Sequence, residues 1–219
     1  MKVILSWSSG KDSAWSLWHL RQDPSIEVVG LLTTVSQHQD RVAMHGVRRE
    51  ILQAQAQCVG LPLDELVIPD PCPNGQYEVL MGDYIARKKA EGVQAIAFGD
   101  LYLEEIRQYR EAKMAGSGLE LLFPLWGLNT FDLAKSMISG GLKARLTCVD
   151  SQRLAADWVG QSFDSNLLAN LPESVDPCGE NGEFHTVVCD GPMFQAPLRL
   201  EELGRYTRGQ FAYADFSLA

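Results

Sequence analysis

Through residue 115 the apolar residues alternate between two periods, and that alternation narrows the possible architectures to a few. Val3 to Leu5 is a short apolar run, Ala14, Leu17 and Trp18 recur at helical spacing, and Ile26 to Leu32 is apolar again. A helical pattern follows from about Val47 to Val59, then a strand at Leu66 to Ile68, a helix over 77–91, a strand at Val93 to Phe98 and a charged helix over 103–115. Strands separated by helices of this length predict an α/β fold: a Rossmann-like parallel sheet with helices on both faces. The pattern changes at "AGSGLE", where Gly116 and Gly118 punctuate the chain. Beyond it come a helix near Thr130 to Ile138, an alternating strand at Leu142 to Val149 and a segment rich in proline and glycine that leads into a further strand. The expected division is therefore residues 1–118 and a smaller α+β C-terminal domain over 119–219.

In such a sheet, ligands sit outside the carboxyl ends of the strands where strand order reverses. The first loop, Ser8-Ser9-Gly10-Lys11-Asp12-Ser13, is built for an anion. Its small side chains let backbone amides approach, the following helix points its partial positive end at the same place, Lys11 adds a full charge and the serine hydroxyls add donors. The structural alternative is a tight strand-to-helix turn capped by Asp12 or Ser13. A P-loop is excluded, because G-x-x-x-x-G-K-[ST] requires glycine at position 5 and Ser or Thr at position 12, where this chain has Leu5 and Asp12.

Composition removes other classes. A net charge of −9 over 219 residues argues against a general polyanion-binding surface, so no nucleic-acid partner is expected. No apolar run reaches the ~20 residues of a membrane span, and Met1-Lys2 enters a strand with no signal-peptide layout, so a cytoplasmic protein without a membrane partner is expected. The cysteines at 58, 72, 148, 178 and 189 contain no C-x-x-C pair, and the histidines at 19, 38, 45 and 185 show no metal-ligand spacing. No tightly held protein metal site is predicted.

The loop resembles the S-G-G-K-D-S pyrophosphate loop of the N-type ATP pyrophosphatases, with Ser9 in place of the first glycine. The stretches "FGDLYLEEIRQYREAKMAGSGLELLFPLWG" (98–127), "GLKARLTCVD" (141–150) and "VDPCGENGEFHTVVCDGPMF" (175–194) resemble the ATP-binding family that includes diphthine-ammonia ligase. The resemblance implies an amide-forming ligase: ATP activates a carboxylate as an acyl-adenylate, ammonia attacks, and AMP and pyrophosphate leave. It implies ATP contacts at Ser8, Ser9, Gly10, Lys11, Asp12 and Ser13, with Thr33, His45, Gly99 and Asp100 beside them, and Asp12 as holder of a nucleotide-borne Mg²⁺ or as a brace of the loop. Substrate contacts are expected from Glu104, Arg107, Arg110 and Thr186, although the charges over 104–111 also fit a solvated, salt-bridged helix face.

The late motif Glu180-Asn181-Gly182-Glu183-Phe184-His185-Thr186 gathers general-base and donor groups in one turn, and Glu180, Glu183 and His185 join Lys11 and Asp12 as catalytic candidates. Asn181 and His185 replace a glycine and an acidic residue of the usual E-G-G-E-x-E-T. That departure suggests a bacterial-type branch, for which a small-molecule carboxylate, such as a cobalamin precursor, stands beside a modified protein side chain as the expected substrate. The expected partners are that carboxylate and ammonium, with a homodimer left open. Two alternatives stand beside this reading: a tRNA-modifying ATP pyrophosphatase, and an adenine-nucleotide sensor without turnover.

Overall fold

A computed structural model describes residues 1–37, 40–42, 46–69 and 74–219. The first half is a parallel sheet in the order β3-β2-β1-β4-β5, with β1 at Lys2–Ser6, β2 at Glu27–Ser36, β3 at Leu63–Ile68, β4 at Ala95–Ala97 and β5 at Glu120–Leu122. Helices α1 (Lys11–Gln22), α2 (Arg49–Val59), α3 (Asn74–Ala90) and α4 (Glu104–Met114) connect successive strands. Val3, Ile4 and Leu5 of β1 are all buried, as a central strand covered on both faces requires. Val3 and Leu5 join a core with Leu17 of α1 and Leu52 of α2, whereas Ile4 packs on the other face with Leu32, Tyr84, Ile85 and Ile96.

The expected strands and helices of this half are present with small shifts of boundary. The strand missing from the expectation is β5, which pairs in parallel with β4 through Ala95↔Glu120 to Ala97↔Leu122. Three residues are too short to show a period, and the pairing carries the parallel sheet past Gly118.

The second half holds α5 (Thr130–Ser139), β6 (Lys143–Asp150), α6 (Ser165–Asn170), β7 (Phe184–Asp190), β8 (Leu200–Arg208) and β9 (Phe211–Leu218). Its strands form an antiparallel sheet in the order β7-β6-β9-β8. One buried apolar cluster continues from α1 and α2 into Leu142, Leu146, Val187, Ala214 and Phe216. Backbone hydrogen bonds cross between the halves, from Val188 N to the Ser9 carbonyl at 3.0 Å and from Gln195 N to the Cys58 carbonyl at 2.7 Å. Edge strand β7 is thereby set against the loop that follows β1.

That loop contains an unusual backbone. Ser9 has φ of 71°, the left-handed region that glycine enters freely and serine does not. Its side chain is fully buried, and the hydroxyl finds no partner among the described residues. A left-handed serine costs roughly 1–2 kcal/mol and an orphan buried hydroxyl about 1–3 kcal/mol. Glycine's extra freedom in the unfolded chain costs only about 0.4–1 kcal/mol. Ser9→Gly is therefore expected to raise the melting temperature in calorimetry by at least about 2–4 °C, the shift for each kcal/mol gained in a chain of this size, and a lower melting temperature would show that the serine side chain stabilises the loop.

Candidate active site

The strand order places the switch point between β1 and β4, which leave each other's company in opposite directions along the sheet. The loops after these two strands, through residues between Ser6 and Ser13 and through Gly99 and Asp100, line a cavity of about 210 Å³ together with the turn from Cys178 to Thr186. Gly10 and Gly99 make this closure possible. A Cβ on Gly10 would lie 3.3 Å from the Thr186 carbonyl oxygen, and one on Gly99 would lie 3.0 to 3.2 Å from the Asp12 and Ser13 backbone. Side chains there would fill the cradle or push the first turn of α1 away.

Lys11 sits at the centre. Its side chain is 2% exposed. The ammonium donates to Asp12 Oδ2 at 2.9 Å and to the Cys178 carbonyl, with the rings of Phe184 and Phe163 at 5.4 and 5.8 Å. Burial disfavours the charge, yet Asp12, with Cys178 and Glu180 behind it, holds the ammonium above its ordinary value. The Lys11 backbone N–H donates to the Thr186 hydroxyl at 3.1 Å, so the late motif also grips the loop's main chain. Ser8 and Ser13 face the cavity with their hydroxyls 3.2 Å apart. Asp12 Oδ1 is buried and has no partner among the described residues.

The late turn is braced from within. Asp176 Oδ1 accepts from the Cys178 and Glu180 amides at 2.8 and 3.2 Å, and its Oδ2 accepts from the Thr130 hydroxyl at 2.7 Å. Glu183 Oε1 accepts from the Asp176 amide and from Asn181 Nδ2, at 3.1 and 3.0 Å. Glu183 is thus folded under the turn and is absent from the cavity lining, whereas Glu180 faces the cavity. Glu180 Oε1 accepts from the Leu101 amide at 2.8 Å, joining the turn to the loop after β4. Burial is the main reason its carboxyl is pushed up to about 7. His185 also lines the cavity, and burial together with the Lys11 charge pushes it down to about 4, leaving it neutral at physiological pH. Arg110 reaches the cavity from α4: its Nε and Nη2 donate to the two Asp100 oxygens at 2.5 and 3.0 Å, and its guanidinium lies 4.2 Å from the Phe98 ring.

The structure thus gathers Ser8, Gly10, Lys11, Asp12, Ser13, Gly99, Asp100, Arg110, Glu180, His185 and Thr186 around one space. Other candidates stand elsewhere. The Thr33 hydroxyl donates to the Trp7 carbonyl at 2.5 Å within the sheet, and the Ser9 side chain is buried behind the loop. Glu104 is exposed on α4, and Arg107 packs over Phe123 and Trp126 while pairing with Glu111 at 2.8 Å. His45 lies outside the described residues. Asp176, Cys178 and Phe184 were not anticipated, although the Asp176-Pro177 dipeptide marks the turn they build.

A parallel sheet with a lysine-bearing small-residue loop at its switch point, closed by a carboxylate-bearing turn, defines a Rossmann-like α/β protein. The description "Diphthamide synthase N-terminal domain" matches residues 1–121 and "Diphthamide synthase C-terminal domain" matches residues 129–217. The chain belongs to the diphthamide synthase family. It is similar to proteins named diphthine–ammonia ligase: 27% identical to that of Schizosaccharomyces pombe, over 97% of this chain and 38% of the relative, and 25% identical to that of Saccharomyces cerevisiae, over 89% and 34%. The human protein of that name is 26% identical, over 89% of this chain and 81% of its own length. The chain therefore spans little more than a third of the two yeast relatives. Among the described residues no helix is long and apolar enough to cross a membrane.

Glu180 gives the site a pH signature. Its folded value of about 7 lies above the ordinary 4.5, so the stability carried by its protonated form is fully present below about 4.5 and is lost as pH rises through about 7. Glu180→Gln keeps an acceptor for the Leu101 amide but does not titrate. Wild type is expected to lose stability relative to Glu180→Gln across that interval in denaturant titrations, and a flat difference would mean that the carboxyl ionises at its ordinary value.

Proposed function

We propose that the chain is an AMP-forming ligase of the diphthine–ammonia ligase type, joining ammonia to a carboxylate at the expense of ATP. The observation that supports this reading is the placement of Lys11 at the switch point, buried between Asp12 and the turn from Cys178 to Thr186 that lines the same cavity. Pyrophosphate leaving the α-phosphorus concentrates negative charge, and the buried Lys11 ammonium with the amides at the start of α1 supplies preorganised positive charge. The carboxylate oxygen attacks the α-phosphorus, the bond to pyrophosphate breaks, and ammonia then attacks the acyl carbon and displaces AMP.

Asp12 Oδ1, buried without a partner among the described residues, fits a Mg²⁺ that travels with the nucleotide. Bound there, the ion would neutralise charge on the departing pyrophosphate.

Ammonia is mostly ammonium near neutral pH, so the second step needs a base. Glu180 suits this task better than Glu183, because it faces the cavity and its carboxyl is pushed up to about 7, near the operating pH. Glu183 serves by fixing the turn. Arg110 and Asp100 line the same cavity as an ion pair, and neutral His185 can donate or accept a hydrogen bond without adding charge. The parallel-sheet lobe thus handles the nucleotide and the antiparallel lobe the second step.

The test is product analysis with ATP, ammonium and diphthine as the trial carboxylate: AMP and pyrophosphate are expected, and ADP would overturn the reading. Lys11→Ala is expected to lower turnover by ~10²- to 10³-fold. It should also lower the melting temperature, because Asp12 loses the partner of its buried oxygen. Turnover within about tenfold of wild type would remove Lys11 from transition-state stabilisation.

A further inference from the structure

Gln55, in the middle of α2, is fully buried and lies behind the loop rather than in the cavity. Its amide is held at both ends: Oε1 accepts from the Trp7 indole N–H at 2.9 Å, and Nε2 donates to the Ser9 carbonyl at 3.1 Å and to the Val188 carbonyl at 2.6 Å. The orientation of this amide is dictated by its neighbours. An indole N–H can only donate and two carbonyls can only accept, so a flipped amide would mismatch all three.

We propose that Gln55 is a positioning residue for the phosphate site. Ser9 holds a left-handed backbone, and such a conformation persists only where surrounding contacts over-determine it. Here the Ser9 carbonyl is held twice, by the Val188 amide at 3.0 Å and by Gln55. The peptide between Ser9 and Gly10 is planar and trans, so a carbonyl drawn into the core turns the Gly10 N–H the opposite way, towards the cleft that Gly10 lines. Gln55 therefore aims a main-chain donor at the anion from a place the anion never touches. It also ties α2, the loop and β7 together, so the donor's direction depends on the antiparallel lobe being docked.

This inference rests on the nucleotide reading of the loop, and the experiment separates the two. Binding of Mg-ATP and of inorganic pyrophosphate is measured by titration calorimetry on wild type, Gln55→Met and Ile51→Val, the last being a buried position one turn earlier on α2 with no bond to the loop. Gln55→Met is expected to weaken both ligands by about tenfold, the scale of one hydrogen bond lost from a positioned donor. Ile51→Val should lower the melting temperature and leave both affinities unchanged. If Gln55→Met fails to fold, Trp7→Phe removes the N–H that orients the amide and is expected to weaken both ligands by about threefold. Equal affinities in wild type and the Gln55 or Trp7 variant would overturn the inference, as would a loss of the same size in Ile51→Val. A wild-type chain that binds pyrophosphate but not Mg-ATP would sink the proposed reaction while the variants still decide on Gln55, and one that binds neither would overturn both.

Discussion

The rest of the site depends on a buried cation. An ammonium taken out of water costs several kcal/mol unless its partners are close and well directed. Lys11 meets that demand with Asp12 beside it, the Cys178 carbonyl from the other half of the chain and two aromatic rings, Phe163 and Phe184, from the same half. Lys11 is thus the charge of the cleft and also the pin between the two sheets. Its environment is complete only when the late turn is docked, which makes the geometry of the cleft a property of the whole chain.

The second sheet is shaped by the same demand. β7 is an edge strand, and an uncovered edge is a liability. Here the Val188 N–H donates to Ser9 and the Val188 carbonyl accepts from Gln55, so that residue's main-chain groups are used to hold the loop after β1. Thr186 on the same strand accepts from the Lys11 amide. Protection of an edge and shaping of the cleft are one set of hydrogen bonds.

The late turn shows how two carboxylates three residues apart come to different ends. Glu180 and Glu183 look equivalent in a motif rich in glycine and acid. Glu183 turns inward, where its Oε1 accepts from the Asp176 amide and Asn181, while Glu180 turns outward to the cavity and the Leu101 amide. Burial near Lys11 and Asp12 then gives Glu180 an ionisation that an exposed glutamate would not have.

The sequence by itself determined the parallel half of the fold and the position of the small-residue, lysine-bearing loop at the end of its first strand, because both are written in local signals. Apolar period distinguishes strand from helix within a dozen residues, and Ser8 to Ser13 carries its small residues, its lysine and its helix start in one stretch. Only the tertiary structure decided that β5 joins that sheet, that Thr33 spends its hydroxyl on Trp7, that Arg107 stacks outside the cavity and that Glu180 rather than Glu183 faces it. Those outcomes turn on contacts between residues far apart in the chain, Gln55 with Val188 and Lys11 with Cys178 among them. A period has no term for such contacts, since it records which face of an element is apolar and not which distant main-chain group that face will meet.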